Sequence, residues 1–97
     1  MTITKNQNGT CVTLNIEGRL DTITAPDLEK EIQLLGEAHS LEVNCKDLEY
    51  ISSAGLRVLF AAHKSFTKKG GMTITNVKDI LLEIFDVTGF RNILNIK

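Results

Sequence analysis

The residues best suited to chemistry in this 97-residue chain are two hydroxyls and a carboxylate. Ser52 and Ser53 stand in the run Tyr50-Ile51-Ser52-Ser53-Ala54-Gly55-Leu56, and Asp21 in the run Gly18-Arg19-Leu20-Asp21-Thr22-Ile23-Thr24. The first run passes from a loop into a helix, with a hydroxyl at the cap and small residues behind it, so an approaching protein or phosphate meets little obstruction. A helix start gathers free backbone N–H groups at the positive end of the macrodipole, which favours an anion. A phosphate on Ser53 would bring about −1.5 to −2 charges to that point without unfolding the domain. Asp21 would oppose that charge, and with Ser53 unmodified it could orient a serine hydroxyl or a kinase-bound metal. A serine at a helix start is also a common cap, and residue type alone leaves that plainer role open.

Other reactive groups point to little. Cys11 and Cys45 sit singly in apolar alternations, without a ligand-spaced partner, and are expected to be buried reduced thiols. His39 and His63 lack a second ligand at metal-binding spacing, so neither a metal site nor a cofactor is expected. No P-loop pattern and no nucleophile–base pair emerge, which argues against an enzyme. Eleven Lys and Arg against twelve Asp and Glu give a net charge of −1, and with one Tyr, four Phe and no Trp there is neither a basic field nor a stacking platform for nucleic acid. The N-terminus has no apolar leader and no run approaches the ~20 apolar residues of a membrane span. A cytoplasmic protein that binds no membrane is expected.

With 42% apolar residues the chain is expected to form one domain over residues 1–97, and periodicity supplies its elements. Thr2 to Lys5 should pair, through the hairpin signal Asn8-Gly9, with a strand from Thr10 to Ile16. A first helix has Thr24 as N-cap, Pro26 in its first turn, Asp27 at the capping-box position and Leu28, Ile32 and Leu35 on its inner face up to Gly36. Leu41 to Lys46 alternates as a strand, and Asp47 to Ser53 forms a loop. A second helix from about Ser53 to Lys69 shows Leu56, Leu59, Phe60, His63 and Phe66, and stops at Gly70-Gly71. A strand at Met72 to Thr75 follows. A third helix from near Asn76 to Gly89 carries Ile80, Leu81, Ile84 and Phe85, read as core and not as a membrane surface, since Lys78 is its only basic flank. A short strand around Ile93 to Ile96 ends the chain.

The order β-β-α-β-α-β-α-β implies an α/β domain with a mixed sheet. Thr13, Asn15, Glu42, Asn44, Thr73 and Thr75 alternate with the apolar strand residues, so helices should cover mainly one face. The loops after the parallel strands gather along one edge, bringing Asp21 near Ser53. Leu20, Ile23 and Leu56 are there either interface anchors or core. Arg19 and Arg57 belong either to a partner face or to solvated surface.

Gly18-x-Leu20-Asp21, Asp47-Leu48-x-Tyr50-Ile51-Ser52-Ser53-Ala54-Gly55-Leu56 and Phe85-x-x-Thr88-Gly89 together resemble the pattern of STAS-domain anti-sigma factor antagonists. The resemblance spans essentially the whole chain. It implies a bacterial partner-switching protein in transcription regulation. Unphosphorylated, it binds an anti-sigma factor that is also a serine kinase; phosphorylated, it is released, and a serine phosphatase resets it. Ser53 matches the phosphoacceptor, Asp21 an acidic position beside it, and Gly55 and Leu56 the opening of the second helix. Ser52 stands where the family usually has Asp, and Ala54 where it often has Ser or Thr, so Ser52 is a second potential acceptor. Ser52, Ala54 and Arg57 complete the expected partner-binding and supporting set, and the free protein is expected to be a monomer. The alternative is a STAS module without phosphorylation, serving as accessory subunit of a transporter or lipid-handling complex.

Overall fold

Alternation of apolar and polar residues builds the sheet. In the computed structural model, which describes residues 1–97, strand β1 (Thr2–Asn8) runs antiparallel to β2 (Cys11–Leu20). The chain reverses between Asn8 and Cys11, where Gly9 has φ +66°. Strand β3 (Ser40–Ile51) lies parallel to β2, and β4 (Gly71–Thr75) parallel to β3, giving the order β1-β2-β3-β4. Helices α1 (Ala25–Gln33), α2 (Ser53–Thr67) and α3 (Asp79–Thr88) form the connections, followed by a 3-10 turn at Phe90–Asn92.

Val12, Leu14, Ile16, Leu41, Val43, Cys45, Met72 and Ile74 form the buried face of the sheet, against Leu28 of α1, Leu56, Leu59 and Phe66 of α2, and Leu81 and Phe85 of α3. On the opposite face Thr13, Asn15, Glu42, Asn44, Thr73 and Thr75 are only half-buried. Four of them are joined by side-chain hydrogen bonds: Asn44 Nδ2 donates to Asn15 Oδ1 at 2.8 Å and Thr75 Oγ1 to Glu42 Oε2 at 2.8 Å, while Asn76 Nδ2 donates to Asn44 Oδ1 at 2.9 Å. The one-sided coverage expected from the sequence is therefore the observed one.

Several boundaries differ. The expected last strand is reduced to a bridge between Ile74 and Ile96, held by Ile74 N to Asn95 O and Lys97 N to Ile74 O, each 2.9 Å, so the order is β-β-α-β-α-β-α. The preceding 3-10 turn leaves too little chain for a longer ladder. Helix α3 starts at Asp79 instead of Asn76, because Asn76 has φ +58° and Lys78 is extended. Ile80, expected in the core, is 68% exposed. Phe60 and His63 are half-buried, while Val58 and Ala62 join the core. Cys45 is buried but Cys11 is exposed, since it follows the reversal on the side away from the helices.

The largest departure shapes the site. Asp47 to Ser53 was expected as loop, yet β3 continues to Ile51 through two bulges. Its pairing with β2 steps from Asn15–Asn44 to Glu17–Asp47, and from Gly18–Leu48 to Arg19–Tyr50, so β3 carries an extra residue at each step. Alternation gives way to a spacing of three, with Cys45, Leu48 and Ile51 buried. No helix is long and apolar enough to cross a membrane.

Candidate phosphoacceptor site

The ends of β2 and β3 lie side by side, with Leu20 opposite Ile51. Ser52 N–H donates to Leu20 O at 2.8 Å, extending the pairing into the connection. Ser52 alone joins β3 to α2. Its extended backbone (φ −99°, ψ 174°) makes it the N-cap, and its hydroxyl accepts from Gly55 N–H at 3.3 Å. The hydroxyl expected at the cap is thus that of Ser52. Ser53 is the first residue of α2, exposed, and its hydroxyl makes no side-chain hydrogen bond within the chain.

Gly55 lies directly over the end of β2. A Cβ there would stand 2.6 Å from Leu20 Cγ and 2.9 Å from Leu20 Cδ2, closer than carbon atoms approach, so glycine lets the first turn of α2 seat on the sheet. Leu20 (0% exposed) is the floor of this seat, with Ile51 Cγ1 beside it, and Leu56 (2%) of α2 is buried as well. Both leucines were open between interface anchor and core, and the structure places them in the core. Ile23, the third candidate, is 84% exposed on the neighbouring loop. Ala54 is half-buried, and Arg57 is exposed one turn along α2 from Ser53. Thr22, Pro26, Ala54, Arg57 and Ala61 share an open depression between α1 and α2.

Asp21 builds its own loop. Its Oδ1 accepts from Ile23 N–H at 3.0 Å and Thr24 N–H at 3.1 Å, while Asp21 N–H donates to Thr24 Oγ1 at 2.8 Å. Thr24 Oγ1 donates to Arg19 O at 2.7 Å, and Asp21 Oδ2 lies 3.8 Å from Arg19 Nε. The Thr24 N–H chiefly, with the Ile23 N–H, the Thr24 hydroxyl and the Arg19 cation, holds the Asp21 carboxyl below its ordinary value despite partial desolvation. The carboxylate is therefore directed at its loop and not at a serine hydroxyl. Thr24 occupies the N-cap of α1 as expected, but its side chain makes no capping bond because Asp21 and Arg19 use it.

Sequence reasoning missed the pair beside this loop: the Arg19 guanidinium lies 4.3 Å from the Tyr50 ring centroid. The two are opposite one another in register, and the bulges that align them left no simple periodicity to reveal them. No group of three or more His, Cys, Asp or Glu is arranged to hold a metal ion.

The STAS domain family model matches residues 2–97. An anti-sigma-B factor antagonist of Bacillus subtilis (strain 168) is 35% identical over 92 residues, covering 93% of this chain and 84% of that protein. Among solved structures, an anti-sigma factor antagonist from Mycobacterium paratuberculosis superimposes with a TM-score of 0.88 at 21% identity, over 98% of this chain and 83% of the other. The Bacillus cell fate determinant SpoIIAA in its phosphorylated form gives 0.75 at 14% identity, over 99% and 91%. These two structures share the fold; the family-wide match and the Bacillus subtilis relative carry the assignment. The chain belongs to the STAS-domain anti-sigma factor antagonist family.

Proposed function

We propose that this protein is a phosphorylation-switched anti-sigma factor antagonist. Unphosphorylated, it binds an anti-sigma factor that is a serine kinase; phosphate on Ser53 releases that partner, and a serine phosphatase restores binding. The carrying observation is the division of labour between adjacent serines: Ser52 Oγ receives Gly55 N–H, whereas the Ser53 hydroxyl is exposed and unengaged. The protein acts as substrate. Ser53 Oγ attacks the γ-phosphorus of the partner's ATP, an O–P bond forms as the bond to the β-phosphate bridging oxygen breaks, ADP leaves, and a base on the kinase takes the hydroxyl proton. The solved phosphorylated form of SpoIIAA supports the reading that this fold tolerates the modification.

Release needs the phosphate to weaken binding about a hundredfold, roughly 2.7 kcal/mol, which one desolvated and repelled charge at an interface supplies. Intact mass and peptide mapping after incubation with ATP, magnesium and a cytosolic fraction of the host should show one phosphate, on Ser53. Ser53→Ala should bind the anti-sigma factor and resist modification, and Ser53→Asp should bind poorly. Equal binding by all three proteins, or modification confined to Ser52, overturns the proposal.

A further inference from the structure

Helix α3 carries an apolar stripe that the core covers only in part, through Ile84. Leu81 and Phe85 hold the helix to the sheet, while Ile80 and Val87 remain 68% and 87% exposed. Half-buried Ile84 lies between them, and all three line one shallow depression with Glu83 and Thr88. At about 100° per residue, Ile80, Ile84 and Val87 fall within about 60° of one another, and Asp79, Glu83 and Asp86 fill the adjoining flank. Asp86 is neutralised by Arg91 at 2.9 Å, but Asp79 and Glu83 are exposed and in no ion pair.

We propose that α3 is a second docking face, separate from Ser53, which takes an amphipathic helix of another protein whose apolar stripe is flanked by lysine or arginine. Charge complementarity selects this occupant. An anionic bilayer requires a basic flank, whereas α3 has only Lys78, at its N-cap, against the unpaired Asp79 and Glu83. A second copy of this chain is a poor match, since α3 against α3 would set the carboxylates near one another. Helix α2 has the cations Arg57, Lys64 and Lys68, but Ala61 is its largest fully exposed apolar side chain. A basic amphipathic helix satisfies both parts of the face, its apolar residues covering Ile80 and Val87 and its cations reaching Asp79 and Glu83.

The test uses the full-length chain, labelled with 15N, titrated with a synthetic helical peptide bearing a leucine stripe and a lysine flank. Amide shifts should concentrate on α3, and the Ser53→Asp protein should respond equally, which separates this face from the phosphorylation site. Ile80→Ser with Val87→Ser should weaken binding about tenfold or more. Asp79→Lys with Glu83→Lys should lose the lysine peptide and gain a glutamate-flanked counterpart, a reversal that misfolding cannot produce. Shifts centred away from α3, equal binding of both peptides to the native chain, tighter binding to phosphatidylglycerol vesicles, or self-association that buries Val87 overturns the proposal.

Discussion

Gly55 and Leu20 belong to different elements yet form one packing unit: a Cβ on Gly55 would lie 2.6 Å from Leu20 Cγ. Leu20 cannot withdraw easily, because it is wholly buried and its own branch point is the atom approached. Gly55→Ala should therefore lower stability, although alanine favours a helix by about 1 kcal/mol over glycine. Overpacking costs about 1–3 kcal/mol, leaving a net loss of up to about 2 kcal/mol. Urea unfolding should show a lower midpoint at unchanged slope. A variant as stable as the native chain would mean that Leu20 moves aside and that the seat is looser than its geometry.

The two serines should separate stability from modification. Ser52→Ala removes the acceptor for Gly55 N–H and should cost about 1 kcal/mol, within the usual cost of losing a cap. Ser53→Ala removes an exposed hydroxyl and should change stability by less than about 0.5 kcal/mol. Thermal unfolding of both variants checks the pair, and a larger loss for Ser53→Ala would show the cap to be misassigned.

Much of this site is legible in the sequence, and the illegible part has a definite cause. Strict alternation in Val12 to Ile16 and Leu41 to Cys45 marks β2 and β3, and the half-buried partners Asn15 and Asn44 reveal the uncovered sheet face. Beyond Cys45 the bulges change the spacing to three, so Leu48 and Ile51 no longer look like strand residues and β3 reads as loop. The same irregularity leaves Leu20 and Leu56 undecided between core and surface, because their burial depends on how close two strand ends approach. Adjacent serines both suit a cap, and only the extended backbone at Ser52 assigns it.

Asp21 gives the loop beside the site an acid sensitivity. Its folded-state value is lowered, mainly by the Thr24 N–H, so the folded protein takes up this proton less readily than the unfolded chain. The contribution is fully present above the ordinary carboxyl value of 3.8 and is lost as pH falls below it through the folded value. Asp21→Asn keeps an Oδ1 acceptor without the charge. The stability difference between native and variant chains should be constant from about pH 5 upward and shrink below about pH 4. Denaturant unfolding across that range checks it; a difference independent of pH shows that the carboxylate charge does not stabilise the loop.

The cysteines should differ as strongly as their surroundings. Burial pushes the Cys45 thiol up to about 12, so it lacks both access and thiolate character, whereas Cys11 is exposed beside the hairpin reversal. A thiol-specific alkylating reagent at pH 8 should label Cys11 alone in the native protein and both residues in denaturant. Rapid native labelling of Cys45 would indicate opening of the β3 core.

Leu20 and Ile23 are three residues apart in sequence and opposite in environment, 0% and 84% exposed, so truncating each should have opposite consequences. Leu20→Ala leaves a cavity beneath Gly55 and should cost about 2–5 kcal/mol, with partner binding reduced through displacement of the α2 start. Ile23→Ala removes apolar surface from the loop that Asp21 organises and should leave stability within about 0.5 kcal/mol. If the anti-sigma factor covers this loop together with Ser53, Ile23→Ala should weaken binding about fivefold to thirtyfold, the effect of about 1–2 kcal/mol at an interface anchor. Calorimetric titration beside thermal unfolding separates the two residues. Unchanged affinity for a fully folded Ile23→Ala protein would place the contact on the α2 side of the site, toward Arg57.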